Sequence, residues 1–284
     1  MIYGKRLNLL NRRKKGMLTR DDLLINASSV EKTITEFIRE QIEVSGLQGA
    51  VLAVSGGVDS AATFVLTVKA LGSERVRAVT MPERDITPEC DIKDVMRLAE
   101  MYDVTCDVVE ITPVIHVMRS ILPLYDSSDL VSSGNVKTRM RMTIIYHYSN
   151  VLRSMVIGGT NKTEWLTGYF TKHGDGGVDL MPLAGLYKTQ VRQLARHLGI
   201  PKKIIDKTPT AGLWPGQSDE GELGIKYEVL DLLLYAWERG IGAAAIAREL
   251  RVHPTTVERI LKRVRVNEHK RCLPLILRLS SVNG

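Results

Sequence analysis

The chain has 284 residues, 44% hydrophobic and 25% charged, which gives room for a large core in one domain, or one domain plus a small appendage. Its 39 Lys and Arg against 32 Asp and Glu leave a net charge of +7, which favours anionic partners such as nucleotides, dinucleotides or nucleic acid. Three widely spaced cysteines (Cys90, Cys106, Cys272) exclude a disulfide framework, and no apolar run has membrane-spanning length or the form of a signal peptide, so a cytoplasmic location is expected.

Residues 1 to about 24 read as a solvated basic arm, with a charge run at Arg12-Arg13-Lys14-Lys15. A first helix is expected over residues 28–44, where Val30, Ile34, Phe37, Ile38 and Ile42 fall on one face and Gly46 stops it. Gly49-Ala-Val-Leu-Ala53-Val54 then reads as a buried strand of a parallel sheet. It runs directly into Ser55-Gly56-Gly57-Val58-Asp59-Ser60, and residues 61–70 have helical content. A strand, a turn on two glycines and a helix start aim backbone N–H groups and the positive helix end at one spot, which suits a phosphate. Asp59 would repel a bare phosphate; it makes sense if a Mg²⁺ ion lies between them.

Further strands are expected at residues 75–81, 104–111 and 154–157, with helices from Thr87, after Pro113 and over 135–150. Strands alternating with helices predict βαβ units, a parallel sheet and an α/β fold, in which ligands bind beyond the carboxyl ends of the strands. The Ser-Gly-Gly turn, the Met81-Pro82 turn and the Gly158-Gly159 turn all fall at strand ends, so they should gather on one edge. A boundary is expected near residues 201–206, where a helix ends and a Pro/Gly-rich loop begins.

A second group of motifs is more specific. Asn135-Val-Lys-Thr-Arg139-Met-Arg141 opens a helix, and Gly158-Gly159-Thr160-Asn161-Lys162-Thr163-Glu164 follows a strand. Gly168-Tyr-Phe-Thr171-Lys172-His-Gly174-Asp175-Gly176-Gly177-Val-Asp179 packs glycines, two carboxylates and a lysine into twelve residues, a density that suits a loop around a charged ligand. Lys188 opens another helix, and residues 208–224 (from Thr208-Pro-Thr210-Ala-Gly-Leu-Trp214 to Gly224) form a loop long enough to be a lid.

The Ser-Gly-Gly-Val-Asp-Ser loop resembles the pyrophosphate loop of the ATP pyrophosphatases. With the Gly-Asp-Gly-Gly loop, the Pro-Thr-Ala-Gly-Leu-Trp segment and His269-Lys270-Arg271, the chain resembles the amidating domain of the NAD synthetases from about residue 28 to about 273. The resemblance implies an adenine nucleotide alpha hydrolase-like fold: a Rossmann-like parallel sheet flanked by helices, with a helical C-terminal part at about 225–284. The arm at 1–24 would then precede a synthetase domain at 25–284. It also implies ATP-dependent adenylation of deamido-NAD⁺ followed by attack of ammonia.

Carried over residue by residue, ATP would be bound by Ala53, Val54, Ser55, Gly56, Gly57, Val58, Asp59, Ser60, Gly159, Lys188 and Thr210, and Mg²⁺ by Asp59 and Glu164. Deamido-NAD⁺ would be bound by Arg139, Lys172, Asp179, His269 and Lys270. Asp59, Asp175 and Lys188 would be the catalytic residues, with Asp175 near the ammonia site. One position departs from the pattern: Gly159 stands where the family has an ATP-contacting Thr, so only a backbone contact remains there. Family members are homodimers, so a dimer is expected. The chain begins about fifty residues before the ATP loop, so no glutaminase domain is expected on it, although a separate glutaminase partner is compatible. The 168–179 and 209–224 loops are expected to order with substrate.

Two other readings stay open at this point. One is an amidating or tRNA-thiolating enzyme of the same superfamily, although the paired Cys or iron–sulfur pattern of a thiolating enzyme is missing. The other is a DNA-binding regulator using residues 240–265, where Ala245, Leu250, Val257 and Ile260 are spaced as in a helix-turn-helix. Two helices joined by a tight turn are also a common structural unit, and that bland reading is preferred to nucleic-acid binding.

Overall fold

A computed structural model describes residues 18–84, 86–274 and 276–277. Its elements in chain order are α1 (Ala27–Ser45), β1 (Gly49–Ala53), α2 (Val58–Leu71), β2 (Val76–Thr80), α3 (Glu89–Met101), β3 (Cys106–Val108), α4 (Thr112–Ile121), α5 (Leu130–Leu152) and β4 (Ser154–Val156). Then follow α6 (Lys162–Thr167), α7 (Lys188–His197), α8 (Lys202–Ile205), α9 (Asp219–Leu223), α10 (Tyr227–Glu238), α11 (Ala243–Leu250) and α12 (Pro254–Val266).

The four strands form one parallel sheet in the order β3-β2-β1-β4. Alternation in β1 divides the core: Ala50 and Leu52 face α1, α2 and α7, while Val51 joins Val79, Val156, Ile115 and Ile145 under α4 and α5. Helices therefore cover both faces, as parallel sheets require. A separate apolar cluster unites α10, α11 and α12 around Tyr227, Leu230, Leu233, Ile246, Val257 and Ile260. Each large side chain buried in these clusters contributes about 1.5–3 kcal/mol of transfer free energy. No described helix is long and apolar enough to cross a membrane.

Several boundaries differ from the expectations. The charge run at 12–15 lies outside the described residues, but the end of the expected arm is not solvated. Leu18 and Leu23 are buried in the cluster with α10, because a short 3-10 turn at Arg20–Leu23 folds them inward. Helix α5 begins at Leu130 rather than 135, since the Asp129 carboxylate accepts the Ser132 N–H at 3.0 Å and caps it there. The strand expected over 104–111 pairs only at Cys106–Val108, where β2 offers a partner. Phe37 is 39% exposed, off the buried Ile34-Ile38-Ile42 stripe of α1. In the helical pair, Ile246 and Ala247 are the buried residues of α11, with Ala245 and Leu250 only partly covered.

Candidate active site

The chain runs outward from β1 through β2 to β3 and then returns to β4 on the other side of β1, the switch point beyond whose strand ends open α/β sheets form their ligand crevice. The loops after β1 and β4 meet in that crevice. In the first, Gly56 takes φ +82°, a conformation glycine adopts without strain. The Ser60 hydroxyl donates to the Gly57 carbonyl at 3.0 Å and accepts the Ser55 N–H at 3.2 Å, which winds the loop on itself. Among the described residues no side chain caps the N-terminus of α2, so its first-turn N–H groups remain available to an anion.

The loop after β4 is fastened by a reciprocal cap. Asn161 Oδ1 accepts the Glu164 N–H at 3.0 Å, and Glu164 Oε2 accepts the Asn161 N–H at 3.3 Å. Asn161, fully buried, donates from Nδ2 to Asp59 Oδ1 at 2.9 Å and so ties the two loops together. Gly159 supports this closure, because a Cβ there would lie 3.3 Å from the Ser60 nitrogen and 3.4 Å from the Asp59 carbonyl carbon. The neighbouring hydroxyl, Thr160, is buried.

Lys188, at the start of α7 and 3% exposed, inserts its ammonium between the carboxylates of Asp59 and Glu164, with Glu164 Oε1 at 3.3 Å. Burial alone would lower its pKa, but Asp59 and Glu164 outweigh it and hold the ammonium charged above the usual lysine range. Burial pushes the Glu164 carboxyl above its ordinary range against the pull of Lys188, with Asp59 adding like-charge repulsion. The buried Asp219 of α9 also contributes to this field and accepts the Tyr227 hydroxyl at 2.9 Å. The Lys188 ammonium lies 5.2 Å from the Tyr227 ring centroid.

Lys188 is placed by a layer beneath it. The Thr163 hydroxyl accepts the Lys188 N–H at 3.0 Å and donates to Asp231 at 2.6 Å, and Asp231 also accepts the Thr189 N–H at 2.8 Å. Asp231 is fully buried, and burial pushes its carboxyl up to about 6 despite those bonds. A folded-state value above the unfolded one means that the folded protein holds the proton longer, so this group's contribution to stability falls as pH rises from about 4 to about 6. Asp231→Asn is expected to remove a slope worth about 3 kcal/mol over that window, read from urea midpoints at several pH values.

A second cluster surrounds the 168–179 loop. Lys172 Nζ donates to the His269 carbonyl at 2.8 Å, Lys270 Nζ donates to the Gly168 and Phe170 carbonyls at 2.8 and 2.9 Å, and Arg139 donates to the Lys172 carbonyl at 3.3 Å. Within the loop a Cβ on Gly174 would lie 2.8 Å from Thr171, and one on Gly176 would lie 2.5 Å from Phe170, whose ring stacks on Trp165. Asp175 accepts the Thr171 N–H at 2.7 Å. Asp175 is exposed at the loop surface, yet the protein gathered around its carboxyl desolvates it and pushes it up to about 6. Gly168 has φ +66°, and a Cβ there would sit 2.3 Å from that of Asn267, which is bonded to the Thr167 and Arg263 carbonyls. Gly168→Ala is expected to cost about 2–4 kcal/mol, as left-handed backbone strain and overpacking add. It should displace the segment carrying His269 and Lys270, seen as a lower melting temperature and a higher KM for the ligand of that cluster.

Asp59, Glu164 and Lys188 are thus brought together over the Ser55–Ser60 loop, and Arg139, Lys172, His269 and Lys270 around the second loop. Asp179 stands apart, accepting the Val156 N–H at 2.8 Å and the Tyr146 hydroxyl at 2.9 Å. Thr210 is exposed, and its hydroxyl accepts the Gly212 N–H at 3.1 Å. Asn161, Asp231 and Asp219 were not singled out from sequence. Only Asn161 carried a readable signal, the Asn-x-x-Glu pattern of a capping box.

The two carboxylates are hard oxygen donors that already enclose one cation, the Lys188 ammonium, and so they fit Mg²⁺. Among the described residues no three His, Cys, Asp or Glu side chains converge as a metal cage. Two carboxylates suit an ion that takes its remaining ligands from phosphates and water.

Parallel sheet, switch-point crevice, free helix N-terminus and carboxylate–lysine cluster define an α/β enzyme built to handle a nucleotide polyphosphate. The family is settled by likeness across almost the whole chain: residues 30–274 match the NAD synthase family model, and the chain belongs to that family. It is 43% identical over 251 residues to the NH₃-dependent NAD⁺ synthetase of Methanococcoides burtonii, covering 88% of this chain and 95% of the relative. The enzyme of the same name from Staphylothermus marinus is 42% identical over 258 residues, 90% of this chain and 94% of the relative. Among solved structures, the NMN synthetase of Francisella tularensis superposes with a TM-score of 0.79 at 32% identity, covering 90% of this chain and all of that one. The NH₃-dependent NAD synthetase of Campylobacter jejuni, in complex with nitrate, gives 0.75 at 28% identity, with 89% and 100% covered.

Proposed function

We propose that the chain is an ammonia-dependent NAD⁺ synthetase that activates the nicotinate carboxylate of deamido-NAD⁺ with ATP. The observation that carries this reading is the meeting of Asp59, Glu164 and Lys188 over the Ser55–Ser60 turn. A nicotinate oxygen attacks the α-phosphorus of ATP and pyrophosphate leaves. Ammonia nitrogen then attacks the acyl carbon, and AMP departs with that oxygen, leaving the amide. A carboxylate is a poor acyl donor, so adenylation supplies the leaving group.

The protein's own work is positioning and charge neutralisation. The Ala53–Ser60 turn cradles the phosphates through the uncapped first-turn N–H groups of α2, Lys188 neutralises charge as pyrophosphate departs, and Gly159 and Thr210 flank the nucleotide. Mg²⁺ held by Asp59 and Glu164 supplies Lewis-acid stabilisation of the phosphates when bound. Arg139, Lys172, His269 and Lys270 offer the anionic dinucleotide a basic wall, Asp179 adds an acceptor, and Asp175 faces incoming ammonia.

A homodimer is supported by apolar side chains left uncovered on α4, the following turn and the start of α5: Val117, Ile121, Leu122, Leu124, Leu130 and Val131. In the helical pair, Arg259 donates to the Leu223 and Gly224 carbonyls and Arg263 to the Thr167 carbonyl. Basic residues engaged inside the fold support a structural role for the pair over DNA binding.

The test is turnover with ATP, Mg²⁺ and deamido-NAD⁺, supplied in parallel with ammonium or glutamine, reading NAD⁺ and AMP. NAD⁺ from ammonium alone is the expected result, and a separate glutaminase would be needed only for the glutamine arm. The likeness to the F. tularensis NMN synthetase favours one second reading, the deamidated mononucleotide as acceptor. A parallel arm with that mononucleotide separates the two by kcat/KM, and AMP without amide from either would overturn both.

A further inference from the structure

We infer that Lys207 is a positioning residue of the adenylation step, whose ammonium locks the Gly56–Gly57 peptide with its N–H facing the phosphate site. This rests on the reading that ATP phosphates occupy the Ser55–Ser60 turn. Lys207 Nζ donates to the Gly56 carbonyl at 3.0 Å and to Asp91 Oδ1 at 2.8 Å, with Asp94 Oδ2 at 3.9 Å. These contacts join three elements far apart in sequence: the turn after β1, the first turns of α3, and the stretch after α8.

In a planar trans peptide the C=O and N–H bonds point in opposite directions. Fixing the Gly56 carbonyl against Lys207 therefore aims the Gly57 N–H the other way. That N–H now points to the Ser55 hydroxyl at 3.4 Å, a long contact that a phosphate oxygen can replace. A peptide between two glycines has no Cβ to bias its orientation, so it is the unit of this turn that flips most freely. Flipped, it would present a carbonyl oxygen to the phosphates and withdraw a donor, a double loss for anion binding.

The surroundings suit a clasp. The Asp91 carbonyl oxygen lies 3.1 Å from where a Gly56 Cβ would stand, so the first turn of α3 closes the back of the loop. Lys207 itself is held by carboxylates, its side chain 24% exposed and those of Asp91 and Asp94 17% and 8%. Asp94 is fixed in turn by an ion pair with Lys203 of α8. Lys207 also immediately precedes the 208–224 segment, so the clasp anchors the base of the chain that carries Thr210 and Asp219.

The experiment compares Lys207→Met, Lys207→Arg and Asp91→Asn with wild type, using Asp59→Asn as the reference for the site. Lys207→Met is expected to raise KM for ATP and weaken inhibition by pyrophosphate about 10- to 100-fold, as loss of a charge-assisted hydrogen bond implies. KM for deamido-NAD⁺ and ammonium should stay within about twofold, since both are bound elsewhere. Lys207→Arg, which keeps a donor on a long stem, should restore most of the ATP affinity. Asp91→Asn should shift the same two readouts in the same direction by less. Unchanged KM for ATP and unchanged pyrophosphate inhibition in Lys207→Met would overturn the inference. So would an equal loss for all three substrates that arginine does not restore. If Asp59→Asn also retained normal ATP kinetics, the phosphate site itself would be misplaced, a failure distinct from that of the clasp.

Discussion

Lys188→Met is expected to lower kcat/KM by about 100- to 1000-fold, the loss typical of removing a preorganised charge that meets developing negative charge. The Lys188 ammonium is set between Asp59 and Glu164, it is 3% exposed, and its charge is held by two carboxylates rather than by water. If ATP phosphates occupy the Ser55–Ser60 turn as proposed, adenylation expels pyrophosphate beside this group and charge builds there. The residue also has a structural share. Without it two carboxylates face each other in a half-dry site, and breaking a buried pair costs about 3–5 kcal/mol. Glu164, whose carboxyl burial already pushes upward, offsets part of that by taking a proton. The two effects separate experimentally. The stability cost appears as a lower melting temperature, whereas the catalytic loss persists well below it as a failed burst of pyrophosphate in single-turnover mixing. Arginine is not a substitute, because a planar fork cannot reproduce a compact point charge set between two carboxylates. A Lys188→Met protein that keeps a tenth of wild-type turnover would place the chemistry elsewhere.

What made this site legible was its local part. The Gly49–Ser60 stretch carries its own instructions: a continuous apolar strand, two glycines where the chain must turn, and a helix start with no capping side chain. The gathering of the turns follows from parallel pairing alone, since all the strands run the same way and end on one edge. What stayed hidden depends on long-range contacts. Lys188 meets Asp59 across 129 residues and Asn161 meets it across 102, and no periodicity reports such pairings. The resemblance to a family placed Lys188, but not Asn161, Asp231 or Lys207. Helix α5 starts at Leu130, ahead of the expected residue 135, and so runs through Gly134. In the fold it is a contact glycine inside the helix, where a Cβ would come within 3.1 Å of Leu213 and 3.2 Å of Trp214. The same face of α5 carries Lys137, which is paired with Glu83 at 2.8 Å and donates to the Leu213 carbonyl at 2.7 Å. The 208–224 segment is thus seated by a small residue and a buried charge, neither of which has a signature in a lone sequence.

Asp175→Asn is the second large effect: kcat with ammonia is expected to fall about 100-fold or more, as for loss of a positioned acid–base group. The carboxyl sits in a loop whose glycines are fixed by packing against Thr171, Thr138 and Phe170, so its place is set by the backbone. Asparagine can still accept the Thr171 N–H, and the loop should survive the change. The pH dependence identifies the role. Desolvation raises the wild-type carboxyl to about 6, so the anion that can attract ammonium and take its proton forms only as pH passes that value. kcat/KM computed on free ammonia should therefore rise with a single ionisation near pH 6 in wild type and be flat there in Asp175→Asn. Stability moves the other way. A carboxyl whose folded pKa lies above its unfolded one is a burden once ionised, so its contribution to stability declines as pH rises from about 4 to about 6. Above pH 6 the asparagine variant should be no less stable than wild type. Activity lost without stability lost, in the pH range where the carboxylate is charged, is the pattern a structural role for Asp175 does not produce. Parallel loss of both would assign the residue to holding the loop instead.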